Sequence, residues 1–165
     1  MKAYFAGGCF WCMEKPFHIL DGVISAISGY CGGTEQNPTY ELVKSQQTLH
    51  RETVCIEFDP EIVSFGELLD MYFNGIDPFD AEGQFIDRGR SYTCAVYYTN
   101  PDQRKETENR ISVLEQQSGK KIAVSVEPYV KFWPAEEYHQ DFARKNPVAY
   151  QRELETSGRL EHRFE

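Results

Sequence analysis

The sequence lacks any long uninterrupted apolar run, and it has too few basic residues to balance its acids. Among 165 residues, 17 are Lys or Arg and 26 are Asp or Glu, which gives a formal net charge of -9. A chain this acidic repels a phosphate backbone unless basic residues cluster, and its longest basic cluster is only Lys120-Lys121. No stretch approaches the roughly 20 apolar residues of a transmembrane helix. We therefore expect neither nucleic acid nor a membrane as a partner.

Targeting and repeat signals are also missing. The segment before Cys9 is too short for the apolar part of a secretory signal. The five cysteines form an odd set, which fits a reducing compartment, so we expect a cytoplasmic protein. A chain of this length is expected to fold as one unit that buries about 70% of its unfolded surface. We predict a monomer with a single catalytic domain over residues 1–150 and a charged C-terminal tail over residues 151–165.

Two cysteines enclose two aromatic residues in the segment 8–12, Gly-Cys-Phe-Trp-Cys. The apolar run 3–6 and two glycines precede it, which predicts a buried strand that ends at a tight turn, and the apolar stripe behind it predicts a helix. Cys9 then lies at the helix N-terminus, where free amide groups and the helix dipole are expected to lower the pKa of its thiol. Cys12 lies about one turn farther on and gains less. The motif predicts redox chemistry on an apolar substrate.

Other interpretations of the cysteine pair are open at this point. The C-x-x-C spacing is common in zinc sites, but Cys31, Cys55 and Cys94 are scattered singly and no second pair completes four ligands. We expect those three to be small core residues, and we predict no metal and no cofactor. A thioredoxin-like dithiol oxidoreductase shares the strand, C-x-x-C and helix, but this chain has no room for a preceding βα unit. A non-catalytic binding module would leave Cys9 without a lowered pKa.

Strands and helices alternate along the rest of the chain. Strands are predicted over 2–6, 22–30, 51–59, 92–99 and 122–130, and helices over 12–20, 40–44, 64–74, 101–117 and 135–145. The long loop 77–91 is a candidate functional segment. The order β-α-β-β-α-β predicts an α/β protein, in detail an α+β two-layer sandwich with a ferredoxin-like split βαβ core, a mixed sheet and helices packed on one face of it.

Several motifs together carry a resemblance to a known family. They are the segment 8–12, Asn-Pro-Thr-Tyr at 37–40, His-Arg-Glu at 50–52 and Asp-Arg-Gly-Arg-Ser-Tyr at 87–92, followed by His-Gln at 139–140 and Lys-Asn-Pro at 145–147. This set resembles the A-type peptide methionine sulfoxide reductases over nearly the whole chain. The resemblance implies that the S epimer of methionine sulfoxide, free or in proteins, is reduced to methionine, with thioredoxin as the final reductant.

The resemblance also implies roles for individual residues. Cys9 is the attacking thiolate, Glu52 is the acid, and Tyr40 and Tyr92 donate hydrogen bonds to the sulfoxide oxygen. An acid is required because oxygen leaves sulfur poorly unless it is protonated, and a carboxyl held neutral by apolar surroundings is a suitable donor. Asp87 matches an acidic member of the same polar cluster.

Phe10 and Trp11 correspond to the wall that receives the S-methyl group of the substrate. After oxygen transfer, Cys9 is expected to be a sulfenic acid that condenses with a second thiol. Many relatives place that thiol in a C-terminal tail, but residues 145–165 contain no cysteine. Cys12 is our first choice as the resolving thiol, Cys31 is the second, and direct attack by an external reductant is the third possibility.

Overall fold

The computed structural model describes residues 1–162. Six strands form the main sheet: β1 (Lys2–Gly7), β2 (Val23–Cys31), β3 (Arg51–Phe58), β6 (Cys94–Tyr98), β7 (Val124–Pro128) and β8 (Phe132–Pro134). The short strands β4 (Gly83–Gln84) and β5 (Asp87–Arg88) form a separate ribbon. The helices are α1 (Phe10–His18), α2 (Tyr40–Lys44), α3 (Phe65–Asn74), α4 (Pro101–Ser118), α5 (Phe142–Lys145), α6 (Pro147–Ser157) and α7 (Arg159–His162). Within 1–162, no helix has both the length and the apolar character to span a bilayer.

The strand order of the main sheet is β7-β6-β1-β3-β2-β8. β3 lies between β1 and β2 and is antiparallel to both, and β6 is antiparallel to β1 on its other side. This is the split βαβ arrangement, so the predicted ferredoxin-like core is confirmed. β7 extends the sheet parallel to β6 after the α4 crossover, and β8 is antiparallel to β2, which makes the sheet mixed.

Alternation along β1 sends successive side chains to opposite faces of the sheet. On the helical face, the Phe5 ring stacks on Phe17 of α1 at 5.7 Å between centroids and on Tyr72 of α3 at 4.9 Å. On the other face, Tyr4 stacks on Tyr129 at 4.3 Å between centroids. The predicted helix start at Ser64 is confirmed, because Ser64 forms a capping box at the head of α3. Burying each such ring contributes roughly 1.5–3 kcal/mol, so the sheet fixes the ends of α1 and α3 firmly.

The segment predicted as a helix over 135–145 differs in the structure. A 3-10 turn at Glu137–His139 and the short helix α5 replace it, and Asp141 between them has a φ of 51°. The Gln140 side chain accepts a hydrogen bond from the Ser28 amide at 2.9 Å and donates one to the Ser28 carbonyl at 2.8 Å. These bonds to the sheet take the place of helical ones, so tertiary contacts override the local pattern.

Residues beyond 150 carry ordered structure. Helix α6 crosses the predicted boundary at residue 150, and Tyr150, Leu154 and Arg159 are each at most 5% exposed. Pro147 stands in the first turn of α6, where its missing N–H costs nothing. The division between a catalytic domain and a tail stays a prediction. Part of that tail, 163–165, lies outside the described residues.

Candidate active site

The turn between β1 and α1 presents Cys9. Gly8 has a φ of 85°, a conformation that side chains rarely adopt, and a Cβ built there would lie 2.7 Å from the Gln84 side chain. Cys9 is the N-cap of α1, but its side chain makes no capping hydrogen bond. Its thiol is therefore free to face the pocket while the backbone around it is held in place.

Glu52, the second residue of β3, reaches the same helix terminus. Its Oε1 accepts a hydrogen bond from the Phe10 amide at 3.1 Å, and the residue is only 2% exposed. Burial raises the pKa of Glu52 to about 8; the Phe10 N–H opposes that rise, and the charge of Asp87 adds to it. The carboxyl is therefore largely protonated at neutral pH, as the sequence led us to expect.

Cys9 and Cys12 lie together under this pocket, and both are buried. Their thiols share a hydrogen bond, which together with burial raises the pKa of Cys9 well above its usual value. The predicted lowering by the helix terminus is wrong for the unliganded pocket. At the helix terminus, the Phe10 amide donates to Glu52, and the Cys12 amide donates to the Cys9 carbonyl at 3.1 Å. These two first-turn donors are thus directed away from the sulfur.

The remaining predicted residues line one cavity of about 240 Å³. Its walls are formed by Cys9, Phe10, Trp11, Tyr40, Lys44, Glu52, Asp87, Tyr92 and Glu153. All the predicted site residues other than Cys12 are therefore brought together here. Tyr40 begins α2, Tyr92 ends a 3-10 turn, Asp87 comes from the β4–β5 ribbon and Glu153 from α6, so with α1 and β3 six separate elements meet at the cavity. Burial raises the pKa of both tyrosines, which keeps their hydroxyls as donors.

The two aromatics after Cys9 have different surroundings. Phe10 is 1% exposed, and its ring centroid lies 5.0 Å from that of His139. Trp11 is half-buried; it stacks on Phe142 at 3.9 Å between centroids, and its Nε1 donates to Nδ1 of His139 at 3.0 Å. Phe10 thus closes the floor of the cavity, while Trp11 is a wall clamped by α5 and the turn before it.

Two carboxyl groups approach the Cys9 sulfur. The sulfur and one carboxylate oxygen each of Asp87 and Glu153 all lie within 4.8 Å of one another. One thiol and two carboxylates are one ligand short of a closed zinc site. Burial raises the pKa of both Asp87 and Glu153, which favours carrying a proton over binding a cation.

Comparison with known proteins agrees with this geometry. The family model for peptide methionine sulfoxide reductase matches residues 1–164. The chain belongs to the A-type peptide methionine sulfoxide reductases. It is 50% identical over 163 residues to the enzyme MsrA of Halalkalibacterium halodurans, covering 97% of this chain and 92% of that protein. It is 48% identical over 159 residues to MsrA 2 of Staphylococcus aureus strain MRSA252, covering 95% and 90%.

Solved structures of other reductases have the same fold. Reduced Mxr1 from Saccharomyces cerevisiae superposes with a TM-score of 0.85 at 28% identity, over 90% of this chain and 86% of that one. Methionine sulfoxide reductase A of Corynebacterium diphtheriae gives 0.81 at 30% identity, over 89% and 75%. The resemblance stated from the motifs is thereby confirmed.

Sequence reasoning missed three residues of this reductase's pocket region. Glu153 and Lys44 line the cavity, and His139 holds the Trp11 indole. Glu153 lies in the segment 151–165, whose charged composition predicts a tail, so the sequence did not single it out. Tyr150 and Leu154, four residues apart behind a helix-starting Pro147, are the signal that could have found it.

Proposed function

We propose that the pocket around Cys9 reduces the S epimer of methionine sulfoxide, free or in proteins, to methionine. The observation that carries the proposal is the buried, largely protonated Glu52 bound to the amide that follows Cys9. A neutral acid beside a thiol supplies the two things that sulfoxide reduction needs, a proton for the oxygen and a nucleophile for the sulfur. Tyr40, Tyr92 and Trp11 line the same cavity, which supports the proposal that the two hydroxyls donate to the same oxygen and that the indole packs on the methyl group.

The first step transfers oxygen. The Cys9 thiolate attacks the sulfoxide sulfur and forms an S–S bond while Glu52 gives its proton to the oxygen. The S–O and S–S bonds then break as the hydroxyl passes to the Cys9 sulfur, so Cys9 becomes a sulfenic acid. Methionine leaves reduced by two electrons, Cys9 is oxidised by two, and Glu52 is left as a carboxylate. Because the pKa of Cys9 is raised in the free pocket, we infer that the thiolate forms once the substrate is bound.

The second step forms a disulfide. The Cys12 thiol, already hydrogen-bonded to Cys9, attacks the sulfenic sulfur and water leaves. Cys31 is a poorer candidate, because it donates to the Lys131 carbonyl at 3.1 Å and belongs to the cluster on the other face of the sheet. Thioredoxin then reduces the disulfide; yeast Mxr1, which has the same fold, has been solved in complex with Trx2. The free thiols fit a cytoplasmic location, which we also propose.

The test is an epimer-resolved assay with dithiothreitol as reductant. We expect methionine from the S epimer only, and we expect Cys9→Ser to abolish it. Cys94→Ser, in a buried thiol outside the pocket, is the matched control and keeps the activity. Wild-type turnover by Cys9→Ser would refute the proposal.

A further inference from the structure

Arg159, near the C-terminus, is buried under the active-site turn. It is 2% exposed, its Nη2 donates to the Gly7 carbonyl at 2.6 Å, and its Nη1 donates to the Gly75 carbonyl at 3.0 Å. A Cβ built on Gly8 would lie 2.5 Å from Nη2, so the guanidinium is packed closely against the backbone that leads into Cys9. The Cζ atom of Arg159 lies 4.8 Å from the ring centroid of Phe85.

The charge of Arg159 has no direct counter-charge. In the part of the chain that the structure describes, no carboxylate oxygen lies within 4.0 Å of its nitrogens, and its Nε is buried without a hydrogen-bond partner. Binding two carbonyls does not require a charge, since a neutral amide N–H also donates to an oxygen, although less strongly than a charged group. A buried cation without a counter-charge is costly, so its position calls for a further explanation.

The explanation lies in the groups around it. We propose that Arg159 is a positioning residue whose charge stabilises the negative forms of the Cys9–Cys12 pair, so that the C-terminal helices complete the redox centre. The role of this charge in catalysis rests on the proposed function, but its effect on the two thiols is a property of the free enzyme. In support, the charge of Arg159 lowers the pKa of both thiols and of Glu52, against the burial that raises them.

Other titratable groups also face Cys9. They are Cys12 on α1, Glu52 on β3, Asp87 on β5, Glu153 on α6, Tyr40 on α2 and Tyr92 beside β6. Each of these groups is neutral when protonated and negative when ionised. Lys44, the cation that lines the cavity with them, is exposed. Arg159 is therefore the buried positive charge that opposes this acidic set.

The test measures how fast iodoacetamide alkylates Cys9 between pH 5 and 10, with Cys9 and Cys12 distinguished by tandem mass spectrometry. Three variants are compared: Arg159→Gln removes the charge but keeps a donor, Arg159→Lys keeps the charge, and Arg152→Gln removes an exposed charge from α6. Thermal unfolding is recorded for each. No sulfoxide is present, so a failure of the proposed activity cannot affect the result.

We expect Arg159→Gln to raise the apparent pKa of Cys9 by a unit or more, which slows alkylation at pH 7 by about tenfold. Arg159→Lys and Arg152→Gln should follow the wild-type profile. A folded Arg159→Gln protein with the wild-type profile would overturn the proposal. Should Arg159→Gln not fold, Arg159→Lys decides: a profile shifted by a unit despite the retained charge would also overturn it.

Discussion

Two pockets in this molecule each contain a buried cysteine, and the larger one is not the active site. The larger, of about 510 Å³, has Arg51 and Cys94 among its lining residues. Arg51 donates to Glu127 at 2.5 Å, to the Tyr97 hydroxyl at 2.9 Å and to Thr93 Oγ1 at 2.8 Å. Its charge is therefore paired, and its Nε and Nη1 donors are used. Burial raises the pKa of Cys94 to about 12, so its thiol is inert.

The smaller pocket is arranged in the opposite way. Glu52 faces it with a raised pKa, and Asp87 Oδ2 is buried without a hydrogen-bond partner among residues 1–162. Buried polar groups are normally satisfied, so an unsatisfied carboxyl oxygen in a pocket lined by a thiol indicates a site that awaits a ligand. A structural pocket and a chemical one therefore differ in whether their polar groups are already paired. The volume of the cavity and the burial of its cysteine do not distinguish them.

The most direct test of this difference exchanges Glu52 in the active-site pocket and, separately, Glu127, the carboxyl that pairs with Arg51 of the larger pocket. We expect Glu52→Gln to lower kcat by about 10²–10³-fold, because the oxygen then leaves without a proton donor. Glu127→Gln, the same exchange at the carboxyl that pairs with Arg51, should leave kcat within about twofold of wild type, since it touches no reacting atom. Initial rates with the S epimer measure both. Near-normal turnover by Glu52→Gln would remove it from the mechanism.

The second prediction separates Cys12 from the other buried thiols. We expect Cys12→Ser to lower thioredoxin-driven turnover by about tenfold or more while the first equivalent of methionine still forms, because oxygen transfer needs only Cys9. Cys31→Ser is the matched control and should leave both the turnover and the first equivalent of methionine unchanged. Rapid-quench burst amplitudes and steady-state rates measure the two effects.

Peptide mapping after one equivalent of methionine sulfoxide gives an independent readout. The Cys9–Cys12 disulfide should then appear in the wild-type protein. A Cys12 that stays free of disulfide would reject it as the resolving thiol.

The sequence predicted the parts of the site that local patterns or motifs encode. The strand, glycine turn and helix around Cys9 follow from short-range sequence, and the motif at Glu52 marked the acid. The pKa of Cys9 did not follow, since it depends on the hydrogen bond with the Cys12 thiol and on burial. The Phe10 amide at the helix terminus also finds an acceptor that lies 42 residues away. Local rules assign the helix terminus to the thiol, whereas the fold assigns it to Glu52.

Residues near the C-terminus were harder still. Charged residues on both sides of Leu154 gave the segment the composition of a solvated tail. Arg159 is buried only because two carbonyls, at the end of β1 and just past α3, converge on it. Such convergence is a property of the assembled fold, and no local pattern reports it.

The remaining expected effect concerns stability, and the two carboxyls should respond to pH with opposite signs. The pKa of Glu52 is about 8 in the folded protein against 4.5 for a free side chain, so folding favours its protonated form. Its contribution is complete below pH 4.5, and it falls as the pH rises to 8 because unfolding then releases a proton. The loss is on the order of 4 kcal/mol. The Arg51 hydrogen bond, against burial, lowers the pKa of Glu127, so its contribution is present at neutral pH and is lost as the pH falls.

Urea unfolding at pH 5 and pH 8, under reducing conditions, therefore distinguishes the two carboxyls. Glu52→Gln, which cannot ionise, should lose less stability than wild type between these pH values and be the more stable protein at pH 8. Glu127→Gln should be less stable than wild type at pH 8, by about 1 kcal/mol for an ion pair whose acid is partly exposed. An unchanged pH dependence in Glu52→Gln would mean that Glu52 is ionised in the resting enzyme. The pocket would then have no neutral acid, and the distinction drawn between the two pockets would fail with it.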